Sequence, residues 1–117
     1  MSVTTRIPPE RLSAYFDAFT KKFLRDANPE TVNVEVLSPD WGEQFEAEGA
    51  HLMGITYDRK ANSLEFELEA GDHRVYQPSE VWAVEEPDGF VSSIEVVRPD
   101  GVKDVVNVKR AGDAPPA

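Results

Sequence analysis

Apolar and polar residues alternate with a period of two along most of this chain, and with a period near 3.6 in one place. The cleanest alternation runs over Ser63 to Glu69. There Leu64, Phe66 and Leu68 point one way and Glu65, Glu67 and Glu69 the other. Thr31 to Leu37 repeats the pattern, with Val32, Val34 and Val36 against Asn33 and Glu35. Both read as half-buried strands. His51 to Asp58 is a third, interrupted by Gly54, and a glycine inside a strand marks a bulge or the close approach of another backbone. Glu43 to Ala47 reads as a short strand with Phe45 inward, broken by Glu48-Gly49-Ala50. Arg74 to Gln77 is another, ended by Pro78.

The stretch from Val81 to Val108 holds three more strands, joined by two copies of Pro-Asp-Gly at 87–89 and 99–101. Proline presets φ at the first corner, aspartate suits the second, and glycine accepts φ > 0. A type I turn followed by a left-handed glycine makes a three-residue hairpin loop with a G1 bulge.

The single helical pattern begins at Pro8 and Pro9, since proline fits the first helical position, where no N–H bond is required. Leu12, Tyr15, Phe16, Phe19 and Phe23 follow at spacings of three and four, on one face. The helix is expected to stop around Asp26 to Asn28, before Pro29. Its basic polar face also fits a membrane surface, but covering a sheet is the commoner role for such a helix. Residues 1–7 carry no strong pattern.

These elements predict an α+β fold. One N-terminal helix packs on a twisted antiparallel meander sheet of six to eight strands, with a partial barrel as its curled form. A single domain is expected over 1–110 and a disordered tail over 111–117. The expected core is Phe16, Phe19, Val34, Val36, Ile55, Leu64, Phe66, Leu68, Val84, Ile94 and Val96.

Composition narrows the functional classes. The chain has 117 residues and no cysteine, which removes disulfides, thiolate zinc sites and a cysteine nucleophile. No run approaches the roughly 18 apolar residues of a membrane span, and no signal peptide is evident. The net charge is −10, concentrated in residues 30–101, which hold seventeen acidic and four basic side chains. Such a surface repels nucleic-acid backbones, so direct nucleic-acid binding is not expected. The ordinary role of the acid is solubility.

No phosphate loop, nucleophile elbow or His-Glu-x-x-His occurs. The histidines are His51 and His73, and a metal site using both needs a third ligand such as Asp72 or Asp58. Glu65, Glu67 and Glu69 sit roughly 7 Å apart along one strand face, and a solvated face explains them better than a cation site. Trp41, at the tip of Ser38-Pro39-Asp40-Trp41-Gly42, is a candidate binding anchor, although such a side chain more often folds back over the core edge.

Gly54-Ile-Thr-Tyr-Asp58, Leu64-Glu-Phe-Glu-Leu68, Asp72-His73, Pro78-Ser-Glu-Val-Trp82, and Ser93-Ile-Glu-Val-Val97 with Asp100-Gly101 resemble a family of small bacterial proteins, domain of unknown function number 5335. The Ile7-Pro8 start and Phe16-Asp17-x-Phe19 fit as well, so the resemblance spans roughly residues 6–110. It implies a stand-alone cytoplasmic bacterial protein and brings no activity, ligand or catalytic residue with it.

The expected function is therefore a non-enzymatic binding or assembly module, with a second copy or another protein as partner, through a sheet edge or the helix. If function resides in this part of the sheet, an uncovered strand edge or the face bearing Glu85, Ser93 and Glu95 suits it better than the turns. The alternative is a small-ligand-binding or hydrolytic domain with a pocket between helix and sheet, and His51, His73 and Asp72 as first candidates. A weaker alternative is an acidic mimic docking a basic protein. No cofactor and no metal are expected.

Overall fold

The computed structural model describes residues 2–24, 30–69 and 71–110. The elements are β1 (Val3–Arg6), a 3-10 turn (Pro9–Arg11), α1 (Leu12–Phe23), β2 (Glu30–Ser38), β3 (Gly42–Asp58), β4 (Ser63–Leu68), β5 (His73–Tyr76), β6 (Glu80–Glu85), β7 (Val91–Val97) and β8 (Lys103–Lys109). The eight strands form one antiparallel sheet in the order β1-β6-β7-β8-β2-β3-β4-β5. Two meanders, β2 to β5 and β6 to β8, thus join side by side through β8 and β2. The fold is α+β, with one helix on an antiparallel sheet.

The sheet curls without closing. In a flat sheet β8 and β5, four places apart, would lie about 19 Å from each other at ~4.8 Å per strand. Instead His73 Nε2 on β5 lies 2.8 Å from Asp104 Oδ1 on β8. The terminal strands β1 and β5 are not paired.

The core lies inside the curl. Val34, Phe66, Ile94, Val96 and Val106 are buried from the sheet, and Leu12, Phe16 and Phe19 from α1. The helix also meets backbone. β2 last pairs β3 at Glu30–Leu52, which leaves the rest of β3 without β2 beside it. There the Thr20 hydroxyl donates to Ile55 O at 3.2 Å and accepts from Ile55 N–H at 3.0 Å. A Cβ at Gly54 would stand in ordinary contact with Thr20 Cγ2 at 3.5 Å and would press at 3.3 Å on the carboxylate tip of Glu67. The ladder is bulged at the same place, between Leu52 and Gly54.

Both Pro-Asp-Gly loops have the same hydrogen bonds. Gly89 N–H donates to Glu86 O and Gly101 N–H to Arg98 O, while Glu86 and Arg98 donate to Phe90 O and Val102 O. Gly89 and Gly101 have φ of 91° and 89°.

Several sequence expectations change. β1 exists although residues 1–7 showed no pattern. It is an edge strand with its side chains exposed or half-exposed, so no buried face imposed an alternation. Glu48-Gly49-Ala50 does not break a strand, because β3 runs continuously and absorbs the irregularity at Gly49, φ 63°. Phe45 is 51% exposed and not inward, since the β2–β3 register sets it opposite the outward Glu35. Val84 is half-buried and outside the core; Val81 and Ala83 are the inward residues of β6. Trp41 stays 50% exposed and does not fold back. Glu85 leaves the face of Ser93 and Glu95 at a bulge after Val84 and meets α1. The expected helix stop at Asp26–Asn28 and the tail 111–117 lie outside the described residues.

Candidate functional site

Three places gather side chains that chemistry or binding can use. The first is the cluster that ties the curl together. Asp104 is fully buried and accepts hydrogen bonds from His73 Nε2 at 2.8 Å, Arg98 Nε at 2.7 Å and an Arg98 terminal nitrogen at 2.8 Å. Burial alone would raise its carboxyl. The bonds from His73 and Arg98 outweigh that and hold it below the ordinary carboxylate value. A buried aspartate this well satisfied is a latch between β5 and β8. Among the described residues no serine, threonine or tyrosine hydroxyl bonds to it, and its acceptor oxygens are engaged by His73 and Arg98.

The second is a cleft of about 250 Å³ between α1 and the β6–β7 hairpin, with a floor of Phe19, Phe23 and Val91 and rims of Arg11, Lys22 and Glu85. The Tyr15 hydroxyl donates to Glu85 at 2.6 Å across it. Burial, then that bond, push the Tyr15 hydroxyl well above its usual value, so it stays protonated.

The third is the outer face of the sheet, on which no described element packs. Cross-strand register aligns one row over six strands: Arg6, Trp82, Glu95, Val105, Glu35 and Phe45. Their immediate strand neighbours on this face include Val84, beside Ser93, and Val97 and Leu37, on either side of Lys103; all three are half-buried. Trp41 stands at the β2–β3 turn beside it. Long salt bridges join Arg6 to Glu80 at 4.0 Å and Lys103 to Glu95 at 3.9 Å. Glu35 instead lies diagonally across the β2–β3 ladder from Glu43. Partial loss of water, then the neighbouring Glu43 carboxyl, raise the Glu35 carboxyl above its ordinary value.

The sequence candidates are dispersed. His73 is in the Asp104 latch, while His51 is exposed on the other face of the sheet and paired with Glu69. Asp72 is exposed in the loop before β5. None of the three lines the helix–sheet cleft. Among the described residues, no group of three or more histidine and acidic side chains is placed to hold a metal ion. Glu65 pairs with Arg74 and Glu67 with Thr56, so the acidic stripe of β4 is occupied by its neighbours. Asp104 and Arg98 escaped the sequence reading. An acid at an inward position of the β8 alternation, between Val102 and Val106, was the signal for them.

An open, curled antiparallel sheet with one helix packed on it defines a small α+β domain. The chain belongs to the family of unknown function DUF5335, whose model matches residues 3–117. It is 36% identical over 109 residues to an uncharacterised protein of Aquifex aeolicus (strain VF5), covering 92% of this chain and 94% of that one. No solved structure matches. No helix among the described residues is long and apolar enough to cross a membrane.

Proposed function

We propose that this protein is a non-enzymatic binding module that engages another polypeptide through the outer face of its sheet. One observation carries the reading: a continuous six-strand row places Trp82, Val105 and Phe45 at the surface, with Trp41 adjoining. Aromatic anchors spaced among half-exposed aliphatic residues are the usual composition of an interface centre. A photo-reactive phenylalanine at Val105, compared with one at Lys60 in the β3–β4 turn, tests this in the cells that make the protein. A discrete adduct to a polypeptide from position 105 alone is expected. Adducts from neither position, or equally from both, contradict the reading.

The helix–hairpin cleft supports a second reading, a small-ligand site. Its apolar floor and the rim of Arg11, Lys22 and Tyr15 suit a small organic acid. Titrating small aromatic carboxylates should then shift the amide signals of Ala14, Ala18 and Gly89. Unmoved signals at millimolar acid remove it.

A further inference from the structure

β3 is longer than either strand beside it. It runs from Gly42 to Asp58, but β2 pairs it only from Gly42 to Leu52 and β4 only from Leu52 to Asp58. Past Leu52, the edge that β2 leaves open is met by Thr20 of α1. On the β4 side, Glu69 N–H donates to His51 O, and the neighbour ends there. Along Gly42–Ala50 that second edge pairs with no described strand, and every residue of it is exposed or half-exposed. The terminal strands β1 and β5 offer four residues each.

The two sides of this edge differ. Gln44, Ala47 and Ala50 stand opposite Val36, Val34 and Val32, on the inner side, and Glu43 and Phe45 opposite Leu37 and Glu35, on the outer. Glu46 and Glu48 fall in two bulges between those pairs. Ala47 and Ala50 pack against the buried cluster, so the core reaches this edge and stops. Residues 30–50 hold six acidic side chains and no lysine, arginine or histidine. Among the described residues Glu43, Glu46 and Glu48 form no salt bridge. Arg98 attracts Glu46, but its guanidinium is bonded to Asp104.

We propose that the Gly42–Ala50 edge of β3 takes an added strand from a different protein, an extended segment in which apolar residues alternate with lysine or arginine. Its backbone pairs with the open edge, its apolar side chains continue the core past Ala47 and Ala50, and its cations stand beside Glu43 on the outer side. An extended chain sends alternate side chains to opposite faces, as the two sides of this edge require. The inference stands apart from the outer-face reading. Bulges and glutamates guard an edge against its own kind, but not against a strand of opposite charge. A second copy adding the same edge about a two-fold axis brings three more glutamates and, within residues 30–50, no cation. The β1 edge of a second copy brings Arg6, but that contact is head-to-tail and builds a ring or a filament.

Three synthetic peptides of equal length, short enough to stay monomeric, test this. Each alternates valine with one other residue: lysine, glutamine or glutamate. Binding is followed by amide hydrogen exchange and by the amide and indole signals of the isotope-labelled protein. At saturation the lysine peptide should slow exchange at least tenfold at those amides of residues 42–50 that point away from β2. It should bind at least tenfold more tightly than the glutamine peptide. The double variant Glu43→Gln, Glu48→Gln should remove that preference and melt no lower than the parent, since both side chains are exposed. A strand bonds its neighbour through every second residue. Methylating the backbone nitrogens of one alternate set in the lysine peptide should therefore abolish binding, and methylating the other set should not.

Any other result of the methylation pair overturns the added strand, and equal binding of the lysine and glutamine peptides overturns the basic partner. If the lysine peptide shifts Val105 and the Trp82 indole while the β3 amides exchange freely, it has taken the outer face; this proposal falls and the outer-face reading gains. If no peptide binds, this proposal falls and the outer-face reading keeps its own crosslinking test. If the protein alone assembles with rising concentration and Arg6→Glu prevents it, the occupant is β1 of a second copy, and the proposal is overturned.

Discussion

On its inner face the sheet buries Val34, Val36, Phe66, Ile94, Val96 and Val106 to 3% exposure or less. On its outer face Trp82, Val84, Val97, Val105 and Leu37 stand half-exposed, and Phe45 more than half. The two sets alternate along the same strands. Inside, Val34, Phe66, Ile94, Val96 and Val106 share one buried cluster with Leu12, Phe16 and Phe19 of α1, and the buried charge of Asp104 is matched by His73 and Arg98. Outside, apolar residues meet only their strand neighbours, and Glu35 is matched with another acid. The inner face is satisfied within the chain and the outer face is not. On the reading proposed above, that is the difference between residues that hold a fold and residues that meet a partner.

Substitutions should separate the two faces, and the largest effects belong inside. Phe66→Ala removes a fully buried ring and should cost roughly 3–5 kcal/mol in urea unfolding; a loss below ~1 kcal/mol would mean the curl is loosely packed.

Asp104→Asn should cost roughly 1.5–3 kcal/mol near neutral pH, through hydrogen bonds to charged groups. Its pH dependence has a definite sign. The folded value of Asp104 lies below its ordinary 3.8, so the unfolded chain takes up the proton first as pH falls. The contribution is complete above pH 3.8 and is lost as pH falls through the folded value. The stability gap between parent and variant should therefore shrink on that acid limb. A gap that widens there would contradict the latch.

Gly101→Ala and Gly89→Ala should each cost on the order of 1 kcal/mol, because alanine resists φ > 0. Unchanged melting in both would show that the loops tolerate another turn type.

The smallest effect belongs outside. Val105→Thr should change stability by less than about 0.5 kcal/mol, and a larger drop would show that the outer face belongs to the folding core.

Much of the fold was legible because alternation is strict wherever one face is fully buried. Val32, Val34 and Val36, and Leu64, Phe66 and Leu68, were all placed inward by pattern alone. The misplacements fall where pattern loses its meaning. Val81-Trp-Ala-Val84 is apolar at every position, so either register looks buried, and the choice of Val84 went to the wrong face. Phe45 follows a turn whose geometry sets its facing more strongly than its hydrophobicity does. Of the candidate site, the singled-out histidines were visible, but what they touch was not. His73 and Asp104 are 31 residues apart and meet only because the sheet curls. The outer row is a property of register across six strands, which no single strand encodes.

The claim that the two faces divide folding from binding is tested most directly by Trp82→Ser, measured twice. The account predicts a urea midpoint shifted by no more than about 0.5 kcal/mol equivalent and loss of the adduct formed from the photo-reactive phenylalanine at position 105. A protein that unfolds readily while binding is unaffected would place Trp82 with the core and contradict the division.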